Sequence, residues 1–479
     1  FGGSGLALDE RGFVQVDATL RSEHFPEIFA AGDCAALIDH PQLPRAGVFA
    51  VREGPILTHN LLVALRGRGR LRRYAPQKDF LALLSTGDGR AAISYRGRAS
   101  HGRVWWQLKN WIDTRFVARH APPDPARLRP PMSDADGMEP CGGCAAKVDA
   151  ASLAAALREL PATAPPEVAV GLVQPDDAAV LRYGEGDDLV ATVDAFPPFC
   201  SDPYLVAEIA AVNAASDVYA MGGTPNAALA LVAPEATAPR AREAALRLML
   251  RGARRGLEAM DVALVGGHTL EAGEGLIGFT MLGRVGRDRA LTKGGARPGD
   301  RLVLTKALGT AVVLAAARAG ECPGEWVDAA LDSMRRSNGA AAAVLVGSDV
   351  RCCTDVSGFG LLGHLLEMLR ASGLAARLAL GSIPALPGAL ELLRVGWRSS
   401  ADRSNRAALD GARFDPRLAP DDPRIALLCD PQTSGGLLAA VPPTAANEVL
   451  QRLAALDGCC AVTIGEVCAG QAGTLELVP

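Results

Sequence analysis

The sequence predicts an α/β fold, shading into α+β, in which two successive halves with mixed sheets follow a separate N-terminal segment. Three observations carry that prediction. From Val148 onward helical and strand patterns alternate with antiparallel pairings; the order strand, glycine turn, acidic residue recurs in both halves; and a proline-rich run at 121–140 isolates everything before it.

At 479 residues the chain exceeds one ordinary core, so two or three domains are expected. Its 49% hydrophobic and 21% charged residues are normal for a soluble globular protein. No apolar run approaches the ~18 residues of a membrane helix, and no signal peptide is visible, so a cytoplasmic location is the expectation. The net charge of -4 divides unevenly, with an excess of about seven positive charges over residues 1–130. That excess centres on RGRGRLRR, residues 66–73, read as a solvated helix end and loop; no nucleic-acid motif accompanies it.

Eleven cysteines without a disulfide framework are expected to be reduced. The single CxxC, Cys141 and Cys144, has no second pair to complete a zinc ribbon.

The chain opens on Phe1 in what reads as mid-domain, which predicts a fragment of a longer protein. The motif PEIFAAGDCA at 26–35, with VDATLRS before it and RAGVFAVREGPILTHNLL after it, resembles the C-terminal part of FAD-dependent pyridine nucleotide-disulfide oxidoreductases of the NADH dehydrogenase type. The resemblance runs to about residue 119 and implies that Asp33 contacts the ribityl chain of FAD. The GxGxxG turn for the FAD pyrophosphate and the NADH-binding segment would lie upstream, so FAD is expected only if that part is present.

The six prolines of 121–140 predict an extended tether between domain 1–120 and the rest. Next, CGGCAAK (141–147) sets a candidate nucleophile, Cys144, three residues before a cation, Lys147. Its glycines and the linker predict a mobile, accessible thiol. Over 141–296 the pattern runs helix, the loop PDDAAV (175–180), strand, a long helix in which Asn213 and Asp217 share a face, then strand, helix and two strands. Gly222 and Gly223 stop the long helix. A GxGxxG at Gly273, Gly275 and Gly278 is followed by a strand instead of a helix and reads as a hairpin turn. The second half, 297–479, carries TDVSGFGLLGHL and CDPQTSGGLL.

Asp176, Asp177, Asp194, Asp217 and Asp355 mostly fall at element ends, where α/β domains place ligand-binding groups. Three or four carboxylates that converge ~4 Å apart repel by about 4 kcal/mol per pair at an effective dielectric of 20, and so require a cation. Carboxylate oxygens select Mg²⁺, which commonly completes its shell with substrate phosphates. A GxxxxGK[ST] loop is absent, whereas the turns GGTP, GGHT and SGFG offer backbone N–H groups to phosphate.

In sequence order, CGGCAAKV, DDAAV, TVDAF, NAASDVYAMGGTP, GGHT, TDVSGFGLLGHL and CDPQTSGGLL resemble the selenide, water dikinase (selenophosphate synthase) family of the aminoimidazole ribonucleotide synthetase superfamily. The resemblance implies ATP-dependent conversion of selenide and water to selenophosphate, AMP and orthophosphate, in a two-domain α/β subunit that forms a homodimer through its N-terminal half. By position, Cys144 and Lys147 match the catalytic pair, and Asp177, Asp217 and Asp355 the Mg²⁺ ligands. Gln174, Pro175, Asp176, Asp194, Gly267, His268 and Thr269, together with Lys147 and Asp217, match ATP contacts. CAAK replaces the CGCK of some members; Cys141 is a spectator or an oxidative partner of Cys144.

His268 is expected near phosphate and His364 in the core. Two alternatives stay open: another ATP-using superfamily member, of the thiamine-phosphate kinase or purine-synthesis type, and a non-catalytic flavoprotein scaffold.

Overall fold

The computed structural model describes residues 1–120, 128–130, 142–157, 164–235 and 239–479, and these fall into two compact units. Cys141 and all of the proline-rich run except 128–130 lie outside the described residues.

In the smaller unit, β1 (Val14–Val16) pairs in parallel with β2 (Ala35–Leu37), and helix α1 (Gly47–Arg66) follows. A second, antiparallel sheet is formed by β3 (Ala82–Ser85), β4 (Ala91–Tyr95) and β5 (Arg98–Gly102), before helix α2 (Arg103–His120). Its core is small, built on Val14, Val16, Leu20, Leu37 and Tyr74. Gly67 ends α1 with φ +63°, and the arginines that follow it are exposed, as expected of a solvated helix end.

The larger unit begins with α3 (Ala150–Leu157), β6 (Val168–Val170), β7 (Ala179–Leu181) and β8 (Asp188–Phe196). Helix α4 (Pro203–Ala220), β9 (Thr224–Ala233), α5 (Pro239–Glu258), β10 (Ala263–Thr269) and β11 (Leu276–Val285) complete its first half. The strands form one six-stranded sheet, β10-β9-β11-β8-β7-β6, in which only β9 and β10 run parallel. Because β9 lies between β10 and β11, the glycine-rich 273–278 stretch does not close a hairpin. The chain steps over one strand there, and Gly278 belongs to β11, where a side chain would run into Ala195.

Helix α4 organises this half. Asp202 caps it by accepting from the N–H groups of Tyr204 and Leu205, Pro203 pre-sets the first turn, and Gly222 at φ +70° ends it. Thirteen of the eighteen residues of α4 are buried, covered by β8, β9 and β11 and by neighbouring helices. Helix α5 approaches closely enough that a side chain at Gly256 would lie 2.7 Å from the Glu208 carbonyl.

The second half contains β12 (Arg301–Leu304), α6 (Thr310–Arg318), α7 (Gly324–Arg335), α8 (Gly339–Val346), β13 (Cys352–Asp355), α9 (Gly360–Ser372) and β14 (Ala375–Ala379). After α10 (Ala389–Arg394), α11 (Asp402–Arg406), β15 (Arg413–Phe414) and α12 (Pro423–Cys429) come β16 (Leu437–Val441), α13 (Pro443–Ala454), β17 (Val462–Cys468) and β18 (Leu475–Val478). Its mixed seven-stranded sheet has the order β13-β16-β12-β17-β14-β18-β15. One face packs a large core with α6, α9, α10 and α12, and the other packs α8 and α13.

Residues 128–130 have no regular structure, yet they are not a free tether. The buried indole of Trp397 donates to the Arg129 carbonyl at 2.7 Å, and Leu128 packs on the second half's core. A buried indole N–H needs an acceptor, which here the linker backbone supplies.

Candidate active site

The segment around Cys144 folds as a short 3₁₀ turn, Gly143–Ala146, laid into the larger unit. Its two glycines are required by crowding. Gly143 sits at φ +67°, where a side chain would run into the Thr433 hydroxyl, and one at Gly142 would collide with the Pro198 carbonyl. The Gly143 N–H donates to Pro197 at 2.9 Å, and the Cys144 N–H donates to Thr433 Oγ1 at 3.0 Å.

The expected accessible thiol is therefore corrected. Cys144 is 1% exposed and its Sγ donates to Asn213 Oδ1 at 3.3 Å. Burial, reinforced by the charge of Asp194 and opposed by Lys147, pushes the thiol up to about 12. Glycines at 142 and 143 signalled mobility in the sequence; in the fold they permit close packing.

Lys147 follows on the same turn. Its ammonium lies 3.6 Å from Asp194 Oδ1, while a third of the side chain still reaches solvent. Burial of the head group works against its charge, but the carboxylates of Asp194, Asp217 and Asp355 outweigh this and hold it protonated. A side chain at Gly358, in the SGFG turn, would lie 2.7 Å from both the Cys144 carbonyl and Lys147 Cδ, so that glycine makes room for the turn.

Asp194 and Thr192 point to the same side of β8. The Asn213 amide donates to Asp194, and Thr192 Oγ1 donates to Asp217 Oδ2 at 2.7 Å. Asp217 lies on the last turn of α4, one turn beyond Asn213, as their spacing predicts. From the other half, Thr354 Oγ1 donates to Asp177 Oδ1 at 3.0 Å, and Asp355 follows at the end of β13. Asp176 accepts from the N–H groups of Asp177 and Lys293, each at 2.9 Å.

These carboxylates feel one another. Burial, with Asp177 next, raises both Asp176 and Asp355 to about 6; burial, Asp355 and Asp194 raise Asp217 well above the ordinary range. Asp177 Oδ2 is buried without a hydrogen-bond partner. Among the described residues no three acidic, histidine or cysteine side chains already form a metal cage. The donor set nevertheless fits a hard divalent cation: it is all carboxylate, its members raise one another's pKa, and it includes an orphaned buried oxygen.

The remaining expected nucleotide contacts are less gathered. Gln174 and Pro175 are exposed just before Asp176, and Gly267, His268 and Thr269 end the exposed edge strand β10. Their described hydrogen bonds and ion pairs include none to the acidic cluster. His364 is buried in α9, as expected, with Nε2 3.2 Å from Ser357 Oγ.

Sequence reasoning missed the clamp supplied by CDPQTSGGLL. Asp430 and Gln432 accept from the first N–H groups of α6, the Thr433 N–H donates to Thr310 Oγ1, and the Ser434 N–H donates to Asn213 Oδ1 at 2.7 Å. Asp430 is fully enclosed, and burial raises it to about 8. The signal was a polar run between two apolar segments; its partners lie more than a hundred residues away.

In the smaller unit, Asp33 lies on a 3₁₀ turn, Gly32–Cys34, whose Gly32 N–H donates to the buried Glu53 at 2.6 Å. The cleft beside it, lined by residues including Pro44, Arg45 and Glu53, measures about 400 Å³ including its mouth.

Comparison with known proteins agrees with the larger unit's architecture. Residues 175–285 match the AIR synthase related protein N-terminal domain family, and residues 297–478 its C-terminal domain family. A solved structure from Thermus thermophilus shares the fold at a TM-score of 0.52 and 20% identity, over 69% of this chain and 98% of that one. The selenide, water dikinase of Pelobacter propionicus is 40% identical over 326 residues, 68% of this chain and 92% of its own length. That of Myxococcus xanthus is 39% identical over 70% of this chain and 94% of its own. With a site of carboxylates, lysine and cysteine in an AIR synthase-type fold, and with relatives at this identity spanned almost end to end, the chain belongs to the selenide, water dikinase family.

Proposed function

We propose that this enzyme uses ATP and water to convert selenide to selenophosphate, releasing AMP and orthophosphate, within residues 141–296 and 297–479. The observation that carries this reading is the convergence of Cys144, Lys147, Asp194, Asp217 and Asp355, which interact electrostatically although they come from four separate stretches of sequence.

Asp177, Asp217 and Asp355 would hold Mg²⁺. Bound there, Mg²⁺ neutralises phosphate charge and supplies electrostatic stabilisation of phosphoryl transfer. Lys147, a compact cation held protonated by its carboxylate neighbours, places positive charge against the transferring phosphate. Gln174, Pro175, Asp176, Asp194, Gly267, His268 and Thr269 line the nucleotide's path. Cys144 keeps selenium near the phosphate. Its thiol is covered and held protonated by burial, and the Thr433 clamp fixes its position.

The homodimer is supported by the open face of the first sheet. Val193 is 67% exposed, Val265 59% and Leu229 38%, and Val193 and Leu229 flank the same residue, Thr280, in register. A cytoplasmic setting accords with described cysteines that are all free, and no helix among the described residues is long and apolar enough to cross a membrane. Residues 1–120 are assigned as the C-terminal part of a flavin oxidoreductase, with Asp33 at the FAD ribityl chain when the rest of such a domain is present.

The test is ³¹P NMR of the full chain with ATP, Mg²⁺ and selenide. Selenophosphate, AMP and orthophosphate are expected in equal amounts; ADP as the only nucleotide product would point to the kinase-type alternative instead.

A further inference from the structure

Lys293 lies on the connector between the two sheets, after β11 and before β12, and is tied to both halves. Its N–H donates to Asp176 Oδ2 at 2.9 Å, and its carbonyl accepts from Cys352 Sγ at 3.0 Å. Its ammonium stands 2.9 Å from Asp177 Oδ1 in the first half and 2.9 Å from Glu367 Oε2 on α9 in the second. The Lys293 side chain is 12% exposed and that of Asp177 4%, so solvent screens this contact little.

Burial would strip the lysine of its charge, yet Asp177 and Glu367 more than reverse that and keep it an ammonium. Burial likewise opposes ionisation of Glu367, but the neighbouring His364 and Lys293 hold it down to about 2. Glu367 Oε2 also lies 3.4 Å from His364 Nδ1, and the other ring nitrogen of His364 meets Ser357.

A plain structural ion pair would leave Asp177 satisfied. It is not: Oδ1 faces both Lys293 and Thr354, while Oδ2 is buried without a hydrogen-bond partner. One ammonium shared between two carboxylates also leaves net negative charge behind, beside Asp176 and Asp355.

We infer that Lys293 is the resident counter-cation of Asp177, competing with a divalent cation for that carboxylate, and that Glu367 is the second carboxylate that keeps the ammonium when the cation arrives. The exchange needs no backbone movement, since the ammonium already touches both carboxylates. The inference rests on the reading of Asp177 as a metal ligand. It makes cation affinity in this site a property of two residues that do not bind the cation.

The test is a Mn²⁺ titration of the full chain without nucleotide, following free Mn²⁺ by electron paramagnetic resonance. Removing one nearby positive charge in Lys293→Met is expected to tighten Mn²⁺ binding by roughly tenfold, and Glu367→Gln, which leaves the ammonium to Asp177 alone, to weaken it by about threefold or more. Unchanged or weaker binding in Lys293→Met overturns the inference. Should that variant fail to fold, Glu367→Gln decides: weaker binding supports the inference, and unchanged or tighter binding overturns it. Asp177→Asn separates the two levels. If it keeps wild-type affinity, the metal assignment fails and this inference with it; if it loses Mn²⁺ while Lys293→Met changes nothing, only the role of Lys293 is lost.

Discussion

The hydroxyl of Thr433 accepts the backbone N–H of Cys144 at 3.0 Å, joining residues 289 positions apart in the sequence. Both are buried, so the bond cannot be replaced by water without opening the site. Replacing Thr433 by valine keeps the shape and removes the acceptor. Stability is expected to fall by about 1–3 kcal/mol in denaturant unfolding, and selenophosphate formation to fall with it. Unchanged stability and turnover would refute the clamp.

Gly143→Ala tests the packing of the same turn. A Cβ there meets the Thr433 hydroxyl and strains a backbone at φ +67°, so the turn is expected to lift. Alkylation of Cys144 by iodoacetamide near neutral pH, mapped by mass spectrometry, should be slow in the wild type and at least several-fold faster in the variant. Fast alkylation of the wild type would contradict the buried, protonated thiol.

Lys147→Met should spare the fold and remove the cation beside Asp194. If Lys147 supplies charge to the transferring phosphate, turnover drops by about a hundredfold or more while the protein still melts cooperatively. A loss below about threefold would assign it a structural part only.

The pH dependence of the cation-free protein follows from Asp355. Burial and Asp177 raise its carboxyl from 3.8 to about 6, so the folded state holds that proton longer than the unfolded chain. Its contribution to stability is present below the unfolded value and is lost as pH rises through about 6. In denaturant unfolding with EDTA, Asp355→Asn should exceed the wild type at pH 7 by up to about 2–3 kcal/mol, and match it near pH 4. A variant less stable than the wild type at pH 7 would reverse the sign and sink the argument.

Local chemistry made much of this protein readable before folding. The Asp202–Pro203 start and Gly222 stop of α4, the strands β8, β9 and β11, and the acidic residues at element ends are dictated by neighbours within a few positions, which is where capping, periodicity and turn chemistry act. The motif order likewise sufficed for the family. What the chain order left open was everything settled by distant approach. The glycines beside Cys144 serve tight packing against Pro198 and Thr433, the glycines at 273–278 carry the chain across β9 instead of into a hairpin, and Lys293 stands between Asp177 and Glu367. Burial and the meeting of charges depend on which surfaces cover each other, and that information exists only once both sheets and their helices have closed around the site.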